Sequence, residues 1–202
     1  MEHNTILLRG TLQDLPIRSH ENHGRKFYRF LLEVPRLSGA VDLLPVMAPL
    51  EILEQVDLTG GSLLRVEGQI RSHNFTDETG RHLQVYVHAA AITAEEGPPA
   101  NEVHLSGAVC RLPTFRQTPL GRQICDLMLA VPRAFHRADY LPCILWGRLA
   151  ETASCCRVSE TVTIDGRLQS RIYSKTVGDQ LVAHTAYEIS ALSAVLPDRL
   201  TP

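Results

Sequence analysis

The sequence predicts an all-β protein built as two tandem five-stranded barrels, each with one short helix, and three observations predict it. The 202-residue chain repeats itself, with Asn4 aligning on Asn101. Apolar residues alternate at period two over most of both copies, the mark of half-buried strands. In each copy one short segment with helical spacing falls between the third and fourth strand.

The repeat is carried by particular residues. Asn4 to Gly10 (NTILLRG) aligns with Asn101 to Gly107 (NEVHLSG), and in the same register Pro16 meets Pro113 and Gly24 meets Gly121. Leu32-Glu33-Val34-Pro35-Arg36 lies on Leu129-Ala130-Val131-Pro132-Arg133, then Asp42 on Asp139 and Pro45 on Pro142. After one inserted residue, Val66-Glu67-Gly68-Gln69-Ile70 meets Ile164-Asp165-Gly166-Arg167-Leu168, and both copies close alike in Ala91 to Ala94 and Glu188 to Ala191. Two copies of one domain follow, residues 1–96 and 101–194, joined by Glu95-Glu96-Gly97-Pro98-Pro99-Ala100.

The second copy shows the elements in order. Val103, Leu105, Gly107 and Val109 alternate through a first strand over 102–112. Thr114 to Leu120 reads as a turn. Ile124, Leu127, Leu129 and Val131 mark a second strand over 122–132, followed by a loop from Ala134 to Ala138. Tyr140 to Trp146 is the third strand. Leu149, Ala150 and Ala153 are spaced for a helix within 147–157, and two long strands complete the copy. Strand, strand, strand, helix, strand, strand in about 95 residues is the order of the OB-fold, whose ligands lie across strands two and three and the adjoining loops.

Composition is that of an ordinary globular chain, 44% apolar and 21% charged. No apolar run approaches the length of a membrane helix, and the Met1-Glu2-His3-Asn4 start is unlike a signal peptide, so a cytoplasmic location is expected. The five cysteines are odd in number and none forms a Cys-x-x-Cys pair, which argues against a disulfide framework or a zinc site. Cys110, Cys125 and Cys143 lie in apolar strands and read as buried thiols. Net charge is −2, but it is unevenly shared: residues 1–97 hold 9 Lys+Arg against 13 Asp+Glu, and residues 98–202 hold 11 against 9.

The basic half also holds the exposed rings. Tyr140, Pro142, Ile144 and Trp146 share one face of the third strand, while Leu141, Cys143 and Leu145 make a wholly aliphatic face for the core, so the aromatic set points outward. On strand four Val162, Ile164 and Leu168 point inward, and Arg167, Gln169, Arg171 and Tyr173 share the other parity. Phe135 sits in the loop after strand two, where core and surface are equally open to it. Around these rings stand Arg116, Arg122, Arg133, Arg137, Arg148, Arg167, Arg171 and Lys175 as candidate phosphate contacts. Rings on which bases stack, flanked by cations that follow the backbone, are what a single strand requires.

These motifs resemble the bacterial single-stranded DNA-binding protein family. The likeness lies in Asn101 to Gly107, the turn Pro113-x-x-Arg116-x-Thr118-x-x-Gly121, Trp146-Gly147-Arg148-Leu149-Ala150-Glu151, Gly166 to Tyr173, and Thr185 to Ala191. It covers the second copy and, more weakly, the first. The resemblance implies that Phe135, Tyr140, Trp146 and Tyr173 stack bases, although the family more often has Trp at several of these places. The first copy has Ser38, Leu43, Pro49 and Phe75 at the matching positions, so Phe75 alone keeps a ring there, and this half is expected to scaffold or dimerise. The family works as four barrels, which a homodimer of this chain would supply. Its long acidic tail is not seen after Leu196.

Two other readings compete. An enzyme is disfavoured: His20, His23 and His136 lie in polar loops, His82, His88 and His184 punctuate strands, and neither a metal nor a cofactor motif is visible. A primosomal-type accessory protein or a protein–protein adaptor would share the fold while binding little nucleic acid.

Overall fold

The computed structural model of the chain describes residues 3–77, 80–177 and 180–197. They form two compact units. Among the described residues, one comprises Thr5–Glu102 together with Gln169–Tyr187; the other holds Asn4, Val103–Leu168 and residues 188–197. Gln169–Tyr187, counted with the second copy by sequence, therefore packs within the unit of the first.

The first copy supplies β1 (Asn4–Leu12), β2 (Ile17–Asn22), β3 (Arg25–Pro35), β4 (Val41–Pro49), α1 (Leu50–Leu53), β5 (Leu63–Asp77) and β6 (Gly80–Ala94). Alternation dictates the layering: Asn4, Ile6, Leu8, Gly10 and Leu12 of β1 are buried, and the residues between them are half-buried. β1 runs antiparallel to β5, β5 to β6, and β4 to β3, while β6 lies parallel to β4 with Val87 opposite Val46. β3 returns to β1 at Leu32 opposite Leu12. Each strand of this ring is thus paired on both sides, which removes exposed edges. Leu8, Leu32, Leu44, Leu64, Val66 and Ile70 fill the interior, with Phe27 and Phe30 also buried.

The second copy supplies β7 (Ala100–Val109), β8 (Thr114–Gln117), β9 (Gln123–Arg133), β10 (Arg137–Trp146), α2 (Gly147–Ala153), β11 (Thr161–Val177) and β12 (Gln180–Val195). The circuit repeats: β7 pairs with β11, β11 with β12, β12 runs parallel to β10 with Ile189 opposite Cys143, and β9 returns to β7 at Ala130 opposite Ala108. Leu105, Leu127, Leu129, Leu141, Leu145 and Ile164 are fully buried.

Two elements differ from the expectation. The segment expected as a turn contains β8, paired with β9 from Thr114 opposite Asp126 to Gln117 opposite Gln123. The reversal is confined to Thr118–Gly121, where Gly121 donates its amide to the Thr118 carbonyl at 2.8 Å and sits at φ +78°. Since β7 and β8 both lie on β9, they act as one strand interrupted at residues 110–113, and the count of five holds. The helix ends at Ala153 rather than Arg157, because Ser154-Cys155-Cys156 are weak helix formers and the Ser154 hydroxyl donates to the Glu151 carbonyl at 2.6 Å.

The glycines that carried the repeat mark places where backbones nearly touch. A Cβ on Gly68 would lie 2.2 Å from the His88 carbonyl oxygen, and one on Gly166 2.3 Å from that of Ser190. Gly10 and Gly107 meet Glu33 and Ala130 in the same way. Any larger residue would push the strands apart at the corners where the barrel closes. Among the described residues no helix is long and apolar enough to cross a membrane.

Candidate functional site

The second unit presents its rings through the pleat of β10. Leu141, Cys143 and Leu145 are buried, while Tyr140 is 45% and Trp146 36% exposed. Tyr140 stands opposite Ala130, a small neighbour that leaves the phenol ring uncovered. Trp146 is the last residue of β10, and Gly147, at φ +56°, turns the chain into α2 immediately after it. The indole is oriented by its Nε1, which donates to Ser190 Oγ at 3.2 Å. One member of the expected outward row is corrected: Ile144 is buried, because its strand position borders Ser190 of β12, the residue toward which the indole reaches. Gln169 is likewise buried rather than outward.

Phe135 resolves to the surface. It is 91% exposed at the tip of the β9–β10 hairpin, and both it and His136 have left-handed backbones, φ +59° and +55°. Hairpin reversals require that geometry, but Asn-Gly is the usual occupant, and a bulky residue there is strained. Arg133 and Arg137 face each other across the hairpin just below the ring.

The cations divide into two groups. Arg116 is held by Asp126 through bonds of 2.7 and 3.3 Å, and the carboxylate's hydrogen bond raises the already high pKa of the guanidinium. Arg133 pairs with buried Asp139 at 3.4 Å. Arg122, Arg137 and Arg148 are exposed and make no ion pair among the described residues. Arg167 is half-buried, with Nε buried and unpartnered.

The remaining candidates lie in the other unit. Phe75 on β5 is 40% and Tyr173 on β11 is 37% exposed. The Arg171 guanidinium lies over the Tyr173 ring, 5.6 Å from its centroid. Lys175 lies outside the residues whose side chains are described. The sequence reading missed that His82 stacks on Phe75 and His184 on Tyr173. The available signal was parity on two paired strands, which placed each histidine on the face of a known ring. The same unit also has an apolar groove of about 510 Å³, lined by Leu15, Ile17, Arg29, Met47 and Tyr86 among others. All five cysteines are free, and burial raises the Cys125 thiol to about 11, which leaves it protonated and unreactive. No group of three or more metal-binding side chains occurs among the described residues.

Comparison with known proteins places this geometry. The model of the Single-strand binding protein family matches residues 100–196. Single-stranded DNA-binding protein B of Bacillus subtilis (strain 168) is 36% identical over 85 residues, which cover 39% of this chain and 75% of that protein. Single-stranded DNA-binding protein A of the same organism is 34% identical over 88 residues, 40% of this chain and 51% of that protein. The chain thus spans about half the length of several curated relatives it matches. Among solved structures, the wild-type single-stranded DNA binding protein from Thermus aquaticus superimposes with a TM-score of 0.78 at 26% identity, covering 98% of this chain and 95% of that one.

Proposed function

The chain belongs to the single-strand binding protein family, and we propose that it takes up single-stranded DNA on the outer face of β10, stacking bases on Tyr140 and Trp146. The observation that carries this reading is the pair of rings exposed on β10 while Leu141, Cys143 and Leu145 of that strand are buried, with Arg122, Arg137 and Arg148 exposed and making no ion pair among the described residues. Phe135 adds a third ring at the hairpin tip, and Phe75, Tyr173 and Arg171 add stacking and charge in the other unit. Arg116 and Arg133 reach phosphates only by sharing their guanidinium groups with Asp126 and Asp139. The protein coats or protects unpaired DNA during replication, recombination or repair. Residues 101–194 carry most of the contact and residues 1–96 mainly scaffold, and a homodimer brings four barrels together in the cytoplasm. The reading is of a binding protein that acts without cofactor or catalysis.

Titration with a thymine oligonucleotide tests it. Stacking on Trp146, the sole tryptophan, is expected to quench its fluorescence, and affinity is expected to fall with salt by a logarithmic slope of about −0.7 per phosphate neutralised. An indole emission indifferent to saturating oligonucleotide would sink the proposal.

The strained hairpin offers a sharper result. Replacing Phe135-His136 by Asn-Gly is expected to raise the melting temperature, since each left-handed non-glycine residue costs roughly 1–2 kcal/mol. The same change is expected to weaken DNA binding by about 1–3 kcal/mol, the contribution of one stacked ring. A more stable variant with undiminished affinity would remove Phe135 from the site.

A further inference from the structure

The indole of Trp146 is tied to a second strand, and the tie decides how the ring lies. Trp146 closes β10, and its Nε1 donates to Ser190 Oγ on β12 at 3.2 Å. An indole nitrogen can only donate, so the hydroxyl accepts. Ser190 stands opposite Ile144, two residues before Trp146, on the parallel partner strand. To reach it the ring is drawn back along β10 across the Ile144 position, and Ile144 is 3% exposed while Trp146 keeps 36%. Laid over the sheet in this way, the ring offers a base its flat face; released from the bond, it would turn among several rotamers.

Ser190 is itself fixed. It is 5% exposed, and a single side-chain torsion sets the place of its oxygen. Its backbone is held against β10 by the pairing with Ile144 and against β11 at Gly166, where an added Cβ would lie 2.3 Å from the Ser190 carbonyl oxygen. All of these residues belong to one compact unit. A rigid acceptor on a neighbouring strand thus holds a longer, freer donor.

The first copy supplies the contrast. Its register sets His88 opposite Met47 as Ser190 is set opposite Ile144, so His88 is the structural counterpart of Ser190, although the sequence repeat matches that serine to Thr93. Pro49 stands where the tryptophan would be, two residues after Met47. His88 leans instead on Phe27, with ring centroids 6.0 Å apart. Indole and hydroxyl are present together in one copy and absent together in the other.

We propose that Ser190 is a positioning residue for single-strand binding: it does not meet DNA but holds the Trp146 indole in the orientation on which a base stacks. The proposal rests on the reading of β10 as the strand-binding face. A side chain left free must be ordered when its ligand arrives, and ordering it beforehand raises affinity by what that ordering costs.

The test uses the full chain and a fluorescein-labelled thymine oligonucleotide. Ser190→Ala is expected to bind about threefold more weakly, within the range for immobilising one side chain, with the salt slope unchanged because no phosphate contact is lost. In the protein without oligonucleotide, the anisotropy decay of Trp146, the sole tryptophan, is expected to gain a fast local component, the mark of an indole free to turn. Ser190→Thr, which keeps the hydroxyl, is expected to restore both. The decisive comparison is a double-mutant cycle: in Trp146→Phe, whose ring has no N–H, Ser190→Ala is expected to cost nothing further. An equal loss in the Trp146→Phe background overturns the proposal, since Ser190 then acts through packing. So does a Ser190→Ala variant with wild-type affinity, or one whose indole turns no faster than in wild type. A wild type that binds no oligonucleotide overturns the single-strand reading itself, and this inference with it.

Discussion

The double variant Trp146→Ala, Tyr140→Ala is expected to lose about 2–6 kcal/mol of binding free energy for a thymine oligonucleotide, one ring contributing roughly 1–3. The two residues stand six positions apart on one face of β10, about 20 Å at the usual rise per residue, so they stack different bases. Groups that far apart act independently, and the two single losses are expected to sum to the double one. The fold is expected to persist, because neither ring belongs to the core and β10 keeps Leu141, Cys143 and Leu145 there. Trp146→Phe retains a stacking surface and loses only the bond to Ser190, so most of its affinity is expected to remain. The salt slope distinguishes stacking from charge: it is expected to stay constant in the ring variants and to become shallower by about 0.7 per phosphate contact in Arg137→Ala or Arg148→Ala. A labelled oligonucleotide must report, since the indole is gone. If the double variant binds as wild type does, the outer face of β10 is not the site.

What the sequence revealed and what it hid divide along the range of the interactions concerned. Leu141, Cys143 and Leu145 announced the core face of β10 because alternation is a local property of one strand. Gly68 and Gly166 announced themselves by recurring, although the reason, a carbonyl just over 2 Å from any added Cβ, is visible only when the partner strand is in place. Ile144 escaped because its burial comes from β12, more than forty residues away in the chain. Arg116 looked like a free cation for the same reason. Its carboxylate, Asp126, is brought to it by β8, a strand hidden in a segment whose Pro, Thr and Arg content reads as a turn. The stacking of His82 on His184 needed two hairpins at once, and single-strand parity gave each histidine a face without giving it a neighbour. Local chemistry was legible; cross-strand partners were not.

Asp42→Ala is expected to cost about 3–5 kcal/mol of stability, the usual penalty for stripping one partner from a buried ion pair. The Asp42 carboxylate is buried and accepts from Arg36 Nε at 2.7 Å, from an Arg36 terminal nitrogen at 2.5 Å, and from the Ser170 amide and hydroxyl at 2.7 and 2.9 Å. Arg36 also donates to the Ser170 carbonyl at 2.9 Å. One carboxylate thus fastens the β3–β4 connection to the stretch of β11 that leads to Arg171 and Tyr173, all within one compact unit. Burial by itself pushes the Asp42 carboxyl up, but the hydrogen bonds from Arg36 and Ser170 and the charge of Arg36 outweigh it and leave the group below the ordinary carboxylate range. A depressed folded value means that the stabilisation is fully present above the unfolded value, about 3.9, and is lost as pH falls through the folded one. The difference in unfolding free energy between wild type and Asp42→Ala is therefore expected to be constant near neutrality and to shrink below about pH 4. Urea denaturation at several pH values measures it, and a difference that persists undiminished in acid would show that Asp42 acts through packing alone. Hydrogen exchange adds a local reading: the Ser170 amide, which loses its carboxylate acceptor in the variant, is expected to exchange faster than amides in the middle of β11, such as that of Ile164. The second copy keeps the same two residue types as Arg133 and Asp139 at a looser 3.4 Å.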